Sequence, residues 1–545
     1  MYIQVIVPLK LDWEPVYSVP EGLELVKGDR VSVIFSGKEY ISVVSKLDVT
    51  PRDGIRESEI LPVLDKVDYL PRITELEFRY WEMTASYYLC TLGEVYKSVY
   101  FRDQQPPRKW TSRDRSAVAT LTELSAAQEK VYKGILDAPK TVLLQGVNGS
   151  GKREVCLRLA ASAMKEGKSV LYLVPEIAFS NTLEQRVSGH FPDYMLYHSG
   201  QTPAKKRDVV LEARTGKPVF VLGARSALWI PFKNLGLIIL DQEHEASFKQ
   251  DSPAPRYNAR ESAIMLSTLC GAKVVLISST PSLESLYNAD NGIFTKFELN
   301  ERFNSGEAPE SVVIDLGAEK RKRAVSGSFS LKLLAHIKNA LEDGGKVLVV
   351  CRAKAAIDEC WEELEAIFPG AAGIDFVSPI GAKTVPEGEY ALIAVLMADS
   401  ILGREDFRSD ERALQLFSLL GGKTGLLVIQ TRESSHPVFS SARAASLLSE
   451  RKVAGYPPYT RLVTVSMSDT DQHRLSLRSR FLMNRLREKL QGFSEPQILG
   501  SGEGVIRIFF KRDRNLQPGK QALYREITSF EQQYSCHIVI DVDPV

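Results

Sequence analysis

The chain has 545 residues, of which 44% are hydrophobic and 25% are charged, and its formal net charge at pH 7 is +1. This length predicts several domains of about 100–200 residues each, and the balanced charge excludes a uniformly basic chain, so that any contact with nucleic acid must use local patches. The sequence has no apolar run of about 18 residues that could span a membrane, and no charged and apolar leader at its start. Its six cysteines are scattered without a C-x-x-C pair, which predicts a cytoplasmic protein with neither zinc nor disulfides.

Residues 1–103 are predicted to form a small, mainly β domain that ends in a helical segment. Short runs rich in β-branched and aromatic residues are separated by proline, glycine and aspartate: Ile3–Val7, Arg30–Phe35 and Tyr40–Val44. A helical pattern of apolar residues then extends from Glu75 to about Val99. Residues 104–120, with paired prolines and several basic residues, are predicted to form a solvated basic linker.

Between residues 121 and 300, apolar strand-like runs alternate with helix-like segments, a pattern that predicts a parallel sheet with crossover helices. The candidate strands are Val142–Leu144, Val170–Val174, Val219–Leu222, Leu237–Leu240 and Lys273–Ile277. Ligands bind at the carboxyl ends of such strands, and a polar or glycine-rich turn follows each of these runs. One such turn alone is an ordinary loop or helix cap, whereas a series on consecutive strands indicates a nucleotide site.

The first of these turns has the form of a phosphate-binding loop. The pattern G-x-x-x-x-G-K is intact, so that Gly146, Gly149 and Gly151 would let backbone N–H groups close around phosphates and Lys152 would reach the β- and γ-phosphates. The next residue in such loops carries a hydroxyl that holds Mg²⁺, and this chain has Arg153 there instead. The alternative interpretation is a glycine-rich strand–helix turn that binds no ligand.

Longer motifs in the central block resemble the primosomal protein N′ (PriA) family, superfamily 2 DNA helicases that restart replication forks. The segments that carry the resemblance occur in the order Leu173–Ile177, His198–Gly200, Gly223–Gln250, Arg256–Arg260 and Ser279–Ser285. Other segments resemble the family's 3′-end DNA-binding domain, second motor lobe and C-terminal domain, namely Val19–Gly22, Asp406–Phe417, Gly455–Tyr459 and Ile540–Pro544. The chain is therefore identified as a shortened, degenerate member of this family.

The resemblance implies an α/β fold with two RecA-like parallel-sheet lobes, a small mainly β N-terminal domain and an α+β C-terminal domain. The first, nucleotide-binding lobe would occupy residues 121–300, the second lobe residues 301–440 and the C-terminal domain residues 441–545. The family's cysteine-rich zinc insertion would follow the predicted strand Lys346–Val350, where this chain runs within a few residues into a helix. A reduced second lobe without zinc is expected.

The resemblance also assigns roles to single residues. Gln128 would read adenine, and Asp241 would hold Mg²⁺ through water. Ser279 and Thr280 would couple the ATP state to DNA, and the remaining matched residues would contact or sense the DNA strand: Arg225, Ser226, Phe248, Lys249, Arg256 and Tyr257. ATP with Mg²⁺ is the implied cofactor pair, and no resident metal site is predicted.

The departures from the family's pattern fall on residues that would take part in ATP hydrolysis. Gln242 replaces the glutamate that would deprotonate the attacking water, and the loss of a general base costs about 10²–10⁴ in rate. Glu243 is adjacent but is expected to point elsewhere. The segment Ser418–Gly425 has no arginine, although the family's γ-phosphate arginines belong there, and such a group contributes about 10³–10⁵. The sequence therefore predicts an impaired motor.

A basic patch near the C-terminus is a further candidate for DNA contact. Lys511, Arg512 and Arg514 follow a predicted strand at Gly504–Phe510, and either a phosphate contact or a solvated turn would explain them. The predicted function is that of a DNA-binding protein of replication restart. It would bind forked or single-stranded DNA and primosome or replication proteins, and it would not associate with a membrane. A working 3′→5′ helicase and an ATP-binding switch without turnover are the alternatives.

Overall fold

The computed structural model describes residues 1–51, 56, 59–99, 110–119, 121–139, 141–175, 181–303, 309–370, 372–402, 406–440, 443–493, 496–500 and 503–545, without the side chains of residues 181 and 182. Part of the predicted linker, residues 104–109, lies outside this range. Residues 110–119 are irregular, as predicted, but they are not simply solvated. Ser112 donates a hydrogen bond to Glu212 at 2.7 Å, and the backbone N–H of Ala119 donates to the carbonyl of His190 at 2.8 Å.

The N-terminal unit is an antiparallel sheet with the strand order β2–β1–β4–β3–β5, followed by two helices. Its elements are β1 (Tyr2–Ile6), β2 (Val16–Ser18), β3 (Arg30–Phe35), β4 (Lys38–Lys46), β5 (Asp65–Lys66), α1 (Glu75–Tyr88) and α2 (Leu92–Val99). A reciprocal capping box between Thr74 and Glu77 starts α1. The single predicted helix is in fact two, because Leu89 adopts a left-handed conformation with φ of 54° and ends α1.

The first lobe is a seven-stranded parallel sheet with the order β12–β6–β11–β10–β7–β9–β8. Its elements are α3 (Ala126–Asp137), β6 (Thr141–Gly146), α4 (Lys152–Lys165), β7 (Ser169–Leu173), α5 (Asn181–His190), β8 (Met195–Tyr197), α6 (Pro203–Thr215), β9 (Phe220–Gly223), β10 (Leu235–Asp241), α7 (Ala259–Cys270), β11 (Lys273–Ser278), α8 (Leu283–Asp290) and β12 (Thr295–Leu299). Every predicted strand of this lobe is present. The edge strands β8 and β12 have no predicted counterpart, since β8 is very short and β12 alternates with charged residues.

The second lobe is a five-stranded parallel sheet with the order β13–β19–β18–β16–β17, to which a small hairpin is added. Its elements are β13 (Glu310–Asp315), α9 (Leu316–Arg321), β14 (Val325–Ser326), β15 (Phe329–Ser330), α10 (Leu331–Glu342), β16 (Val347–Val350), α11 (Ile357–Ile367), β17 (Ile374–Val377), α12 (Pro379–Ala382), β18 (Tyr390–Val395), α13 (Asp399–Leu402), α14 (Ser409–Gly421) and β19 (Thr424–Thr431).

The C-terminal unit is an antiparallel sheet with the order β21–β22–β20–β23 and long helices packed on it. Its elements are α15 (Arg443–Ala454), β20 (Thr460–Met467), α16 (Gln472–Leu490), β21 (Gln497–Gly500), β22 (Val505–Lys511), α17 (Leu516–Tyr534) and β23 (Ile538–Val542). The predicted fold class is confirmed. The first and last residues of the four domains remain a prediction. No helix among the described residues is long and apolar enough to cross a membrane.

A buried ion-pair cluster joins the two lobes to α15. It consists of Glu284 on α8, Arg408 and Glu411 on α14 and its N-terminal cap, and Arg451 on α15. Arg408 pairs with Glu284 at 2.9 Å, and Arg451 pairs with Glu411 at 2.6 Å. Glu411 also accepts a hydrogen bond from the backbone N–H of Leu283 at 2.9 Å. We call these four side chains the Glu411 cluster; it ties α8 of the first lobe directly to α14 of the second.

Replacement of Arg451 by methionine should lower the free energy of unfolding by up to about 3–5 kcal/mol, because it removes the closer charge partner of the buried carboxylate of Glu411 and leaves only Arg408, at 3.7 Å. Urea denaturation of the full chain measures this loss. Arg474→Met is the matched control, since Arg474 pairs with Asp469 at the surface and its side chain is 52% exposed, so that this variant should unfold almost as the wild type does. Equal losses in the two variants would contradict a special role for the Glu411 cluster.

Candidate nucleotide site and DNA-contact residues

The phosphate-binding loop lies where the sequence places it, between the end of β6 and the start of α4. Gly149 and Gly151 adopt φ values of 78° and 72°, which a residue with a side chain rarely adopts. Helix α4 starts at Lys152 without a side-chain cap. Its first N–H groups therefore face the loop, and they form the kind of helix terminus that binds anions.

Gln128 braces this loop from α3. Its Oε1 accepts a hydrogen bond from the N–H of Ser125 at 2.9 Å, and its Nε2 donates to the carbonyl of Ser150 at 2.9 Å. The side chain is almost fully buried, and a Cβ on Gly151 would come within 2.1 Å of its amide nitrogen. Gln128 thus shapes the loop through close contact, and the adenine contact expected of it stays a prediction.

Lys152 folds back over the loop. Its Nζ donates to the carbonyls of Gly146 and Val147 at 3.1 and 3.3 Å. Burial lowers the pKa of Lys152 to about 8. The lysine therefore lies over the phosphate position, but it holds its proton less strongly than a solvated lysine does.

Arg153 is bound to the carboxylate at the end of the central strand. Its Nε lies 2.6 Å from Oδ2 of Asp241, which is buried, and the hydroxyl of Tyr172 donates to the same oxygen at 3.3 Å. Attraction to Asp241 raises the pKa of Arg153 further above its usual value. A second carboxylate, Glu387 of the second lobe, lies 3.8 Å from Nη1 of Arg153. The ion pair between Arg153 and Asp241 therefore joins the first turn of α4 to the end of β10.

The two residues after Asp241 turn in different directions. Gln242 has a left-handed backbone with φ of 54°. Glu243 turns inward: its carboxylate accepts from Arg260 at 3.0 Å and from the N–H of Ser282 at 2.7 Å, and Ser285 donates to it at 2.9 Å. It is 2% exposed. Glu243 therefore faces α7 and the start of α8, and its carboxylate is surrounded by hydrogen-bond donors.

A hydroxyl that sequence reasoning missed links this segment to β11. Nδ1 of His244 lies 2.7 Å from Oγ of Ser278, and the N–H of Thr280 donates to the same oxygen at 2.9 Å. Burial lowers the pKa of His244. Ser279 and Thr280, the predicted coupling residues, instead line a cavity of about 1010 Å³ between the lobes. The histidine after Glu243 was the available signal, because a buried imidazole needs a polar partner.

The segment Ser418–Gly425 of the second lobe, which contacts the loop, has no arginine. Nδ2 of Asn148 donates to the carbonyl of Ser418 at 2.9 Å. Lys423, the one cation of the segment Ser418–Gly425, donates to the carbonyls of Lys383 and Val385 at 2.7 and 2.5 Å. Of the arginines that precede α14, Arg408 belongs to the Glu411 cluster and Arg404 lies outside the described residues.

Phe248, Lys249 and Tyr257, which are predicted to contact DNA, are not exposed in this structure. All three are buried, with at most 2% exposure. Nζ of Lys249 pairs with Asp541 at 2.7 Å and donates to the carbonyl of Val542 at 2.6 Å, both on β23. The sequence shows a basic, aromatic loop, but it does not show that the C-terminal sheet packs over it.

The other predicted DNA contacts are placed differently. Arg225 donates to the carbonyl of Ser247 at 2.9 Å, and also to that of Lys249, so it holds the covered loop in place. Arg256 and Ser226 are partly exposed. Lys511 and Arg514 are exposed. Arg512, also exposed, donates to the carbonyl of Pro458 at 2.8 Å and lies over the ring of Tyr287 at 5.6 Å.

Two RecA-like parallel sheets, a phosphate-binding loop after β6 and an acidic segment with a histidine after β10 define the class of two-lobed DEAD/DEAH-type helicases. Residues 125–289 match the family profile described as DEAD/DEAH box helicase. Residues 4–100 match the profile of the PriA 3′ DNA-binding domain.

Relatives match over almost the whole chain. The replication restart protein PriA of Rickettsia typhi (strain Wilmington) is 31% identical over 630 aligned positions, which cover 97% of this chain and 92% of the relative. The PriA of Rickettsia felis is 27% identical over 644 positions, which cover 97% of each. The chain therefore belongs to the PriA family. Both alignments are longer than the 545-residue chain, so these relatives contain segments that it lacks, in agreement with a shortened member.

Among solved structures, RecG bound to a three-way DNA junction aligns with 84% of this chain and 56% of its own length, with a TM-score of 0.37 and 15% sequence identity.

The class of DEAD/DEAH box helicases implies ATP and Mg²⁺ as cofactors, and the residues present do not fit the metal. The hydroxyl that would ligate Mg²⁺ is replaced by a guanidinium, and Asp241 is already neutralised by that guanidinium at 2.6 Å. A divalent cation would have to displace Arg153 from a buried carboxylate and then lie beside its charge. The glycines and the lysine of a phosphate-binding loop are present, whereas the hydroxyl that would hold Mg²⁺ is not.

If Lys152 must be protonated to bind phosphate, nucleotide affinity should fall as the pH rises through about 8, by up to about tenfold per pH unit, because its pKa is lowered to about 8. Titration with a fluorescent ATP analogue from pH 6.5 to pH 9.5, at about unit steps, measures the effect. Lys152→Arg is the control, since arginine keeps its proton throughout and should abolish the decline. An equal decline in both proteins would assign the titration to another group, such as Lys423.

Proposed function

We propose that this chain binds forked or single-stranded DNA in replication restart, and that its motor hydrolyses ATP slowly or not at all. Membership of the PriA family and the match of residues 4–100 to the 3′ DNA-binding domain support the first part. The ion pair between Arg153 and Asp241 carries the second part, since it fills the position from which a metal would act on the phosphates.

Two further features of the site support an impaired motor. Gln242 cannot accept a proton from the attacking water, and Glu243 is held by Arg260 and Ser282 on the side away from the loop. Opposite them, Lys423 is turned to backbone carbonyls rather than to the loop. Loss of an arginine finger alone accounts for about 10³–10⁵ in turnover.

The second candidate function is an active 3′→5′ helicase. The observation in its favour is that the parts which sense nucleotide are retained: Lys152 lies over the phosphate position, and His244 still contacts Ser278 at the end of β11. This function would require Glu243 to leave Arg260, or a base and an arginine from elsewhere.

Further parts of the proposal concern partners and metals. Primosome or other replication proteins are the expected partners, as for the family. The absence of stoichiometric zinc is also proposed, from a sequence without paired cysteines.

Purified protein should show DNA-stimulated ATP hydrolysis at or near background, at least about 10³-fold below the roughly 1–100 s⁻¹ of working phosphoryl-transfer enzymes. A phosphate-release assay with forked DNA measures this rate, with Lys152→Ala as the background. The double variant Arg153→Thr, Gln242→Glu restores the hydroxyl and the base but no arginine, so it should recover only partial turnover. Robust wild-type hydrolysis that Lys152→Ala abolishes would instead favour the active helicase.

The double variant Lys511→Ala, Arg514→Ala should weaken binding to forked DNA. It should also make the negative slope of log K against log[salt] less steep, by about 0.9 for each phosphate of duplex DNA that the protein no longer neutralises. Fluorescence anisotropy over a range of salt concentrations measures both quantities. Lys338→Ala, Lys346→Ala is the matched control on the second lobe, where both side chains are more than half exposed. An unchanged slope in the first variant would exclude the basic patch from the DNA interface.

A further inference from the structure

The phosphate-binding loop of this chain holds two cationic side chains at adjacent positions. Lys152 lies over the loop, and Arg153 extends to Asp241. In the family's pattern the second of these positions carries a hydroxyl that holds Mg²⁺. The chain has therefore replaced a metal ligand by a permanent positive charge.

We infer that this loop binds the phosphate chain of a nucleotide without Mg²⁺, with Arg153 supplying the charge that the metal supplies in the family. This inference rests on the proposed function, in which the motor retains its nucleotide loop but not its turnover. Arginine suits the task, because its guanidinium is always charged and its planar N–H groups match phosphate oxygens.

Asp241 is placed to orient Arg153 rather than a metal. Only the Nε of Arg153 is paired closely with it, at 2.6 Å, while Nη1 lies 3.8 Å from Glu387, beyond a good hydrogen bond. The outer N–H groups of the guanidinium are thus available to a phosphate while Nε stays on the carboxylate. Asp241 fixes the guanidinium, and Tyr172 in turn donates a hydrogen bond to the same carboxylate oxygen.

A second observation at the loop also points to an anion. The side chain of Ser150 is 98% buried, since its exposure is 2%, and its Oγ has no hydrogen-bond partner in the described structure. This hydroxyl points across the loop at Gly146, where a Cβ would come within 2.5 Å of it. A buried hydroxyl without a partner is costly, and a phosphate oxygen within the loop would supply one.

The charges of the site predict whether Mg²⁺ raises or lowers the affinity for ATP. Lys152 and Arg153 together balance Asp241 and Glu387, so the site without a ligand is close to neutral. ATP without a metal carries more negative charge than ATP bound to Mg²⁺, and it leaves its oxygens open to the guanidinium. Excess Mg²⁺ should therefore leave the affinity unchanged or weaken it, which is the opposite of a metal-dependent site.

Isothermal titration calorimetry with ATP, in EDTA and in excess Mg²⁺, tests the inference on the full chain. The wild type should bind at least as tightly in EDTA as in Mg²⁺, and Lys152→Ala should lose binding in both. Arg153→Thr should lose about tenfold or more in EDTA, as expected for a charge-assisted hydrogen bond, and should gain affinity when Mg²⁺ is added. Arg186→Thr, which removes an exposed arginine that pairs with Glu154 on α4, is the control and should behave as the wild type.

Two further variants protect the test against a loss of folding in Arg153→Thr. Arg153→Lys keeps the charge without the fork of donors, so it should retain binding in EDTA at reduced affinity. Asp241→Asn removes the charge that orients Arg153, so it should weaken binding in EDTA, whereas in a metal-dependent site the same change would weaken only the binding of the Mg²⁺ complex.

Wild-type binding that requires Mg²⁺, or no ATP binding in either condition, would overturn the inference. Anisotropy with forked DNA on the same preparations separates this failure from that of the proposed function. If DNA is bound and ATP is not, the metal-free site is refuted and the DNA-binding function stands. If DNA is not bound, the proposed function fails whatever ATP does.

Discussion

The relation between the two lobes depends on the buried Glu411 cluster. Glu411 receives Arg451 from α15 and the backbone N–H of Leu283 from the first lobe, while Arg408 reaches Glu284. Each of these groups would be costly to bury alone, so the lobes can separate only if several charges are exposed to water together. The nucleotide loop, which contacts the second lobe through Asn148 and Ser418, is held within this arrangement. A motor must open and close this joint at every step, whereas a DNA-bound scaffold need not.

The buried loop that contains Phe248 and Lys249 is also held by contacts between parts of the chain. Lys249 is tied to Asp541 and Val542 of the C-terminal sheet, and Lys520 of that unit donates to the carbonyl of Tyr87 in the N-terminal unit at 2.5 Å. The N-terminal, motor and C-terminal parts are therefore joined by specific buried contacts as well as by the chain. Lys511 and Arg514, the predicted basic patch, are not buried by these contacts.

The parallel sheet and its loop could be predicted from the sequence because they depend on local pattern. Apolar runs such as Val142–Leu144 are long enough to mark buried strands, and the glycines before Lys152 mark the turn. The direction of Glu243 followed from its position next to Gln242. The burial of Lys249 could not be predicted, since it depends on a strand almost 300 positions later, at Val542. The pairing of Arg153 with Asp241 could not be predicted either. The sequence shows that an arginine replaces the hydroxyl, but it does not show which side chain the arginine contacts.

The contact between Gly422 and Asn148 limits which side chains the second lobe can carry beside the nucleotide loop. A Cβ on residue 422 would come within 2.3 Å of Nδ2 and 2.9 Å of Cβ of Asn148, closer than atoms in a folded protein tolerate. Any mutation that introduces an arginine at Gly422 must therefore be preceded or accompanied by a change at Asn148. The residue tolerated at position 422 therefore depends on the residue at position 148. The two positions lie in different lobes, so a substitution in one lobe is expected to constrain what the other lobe can accept.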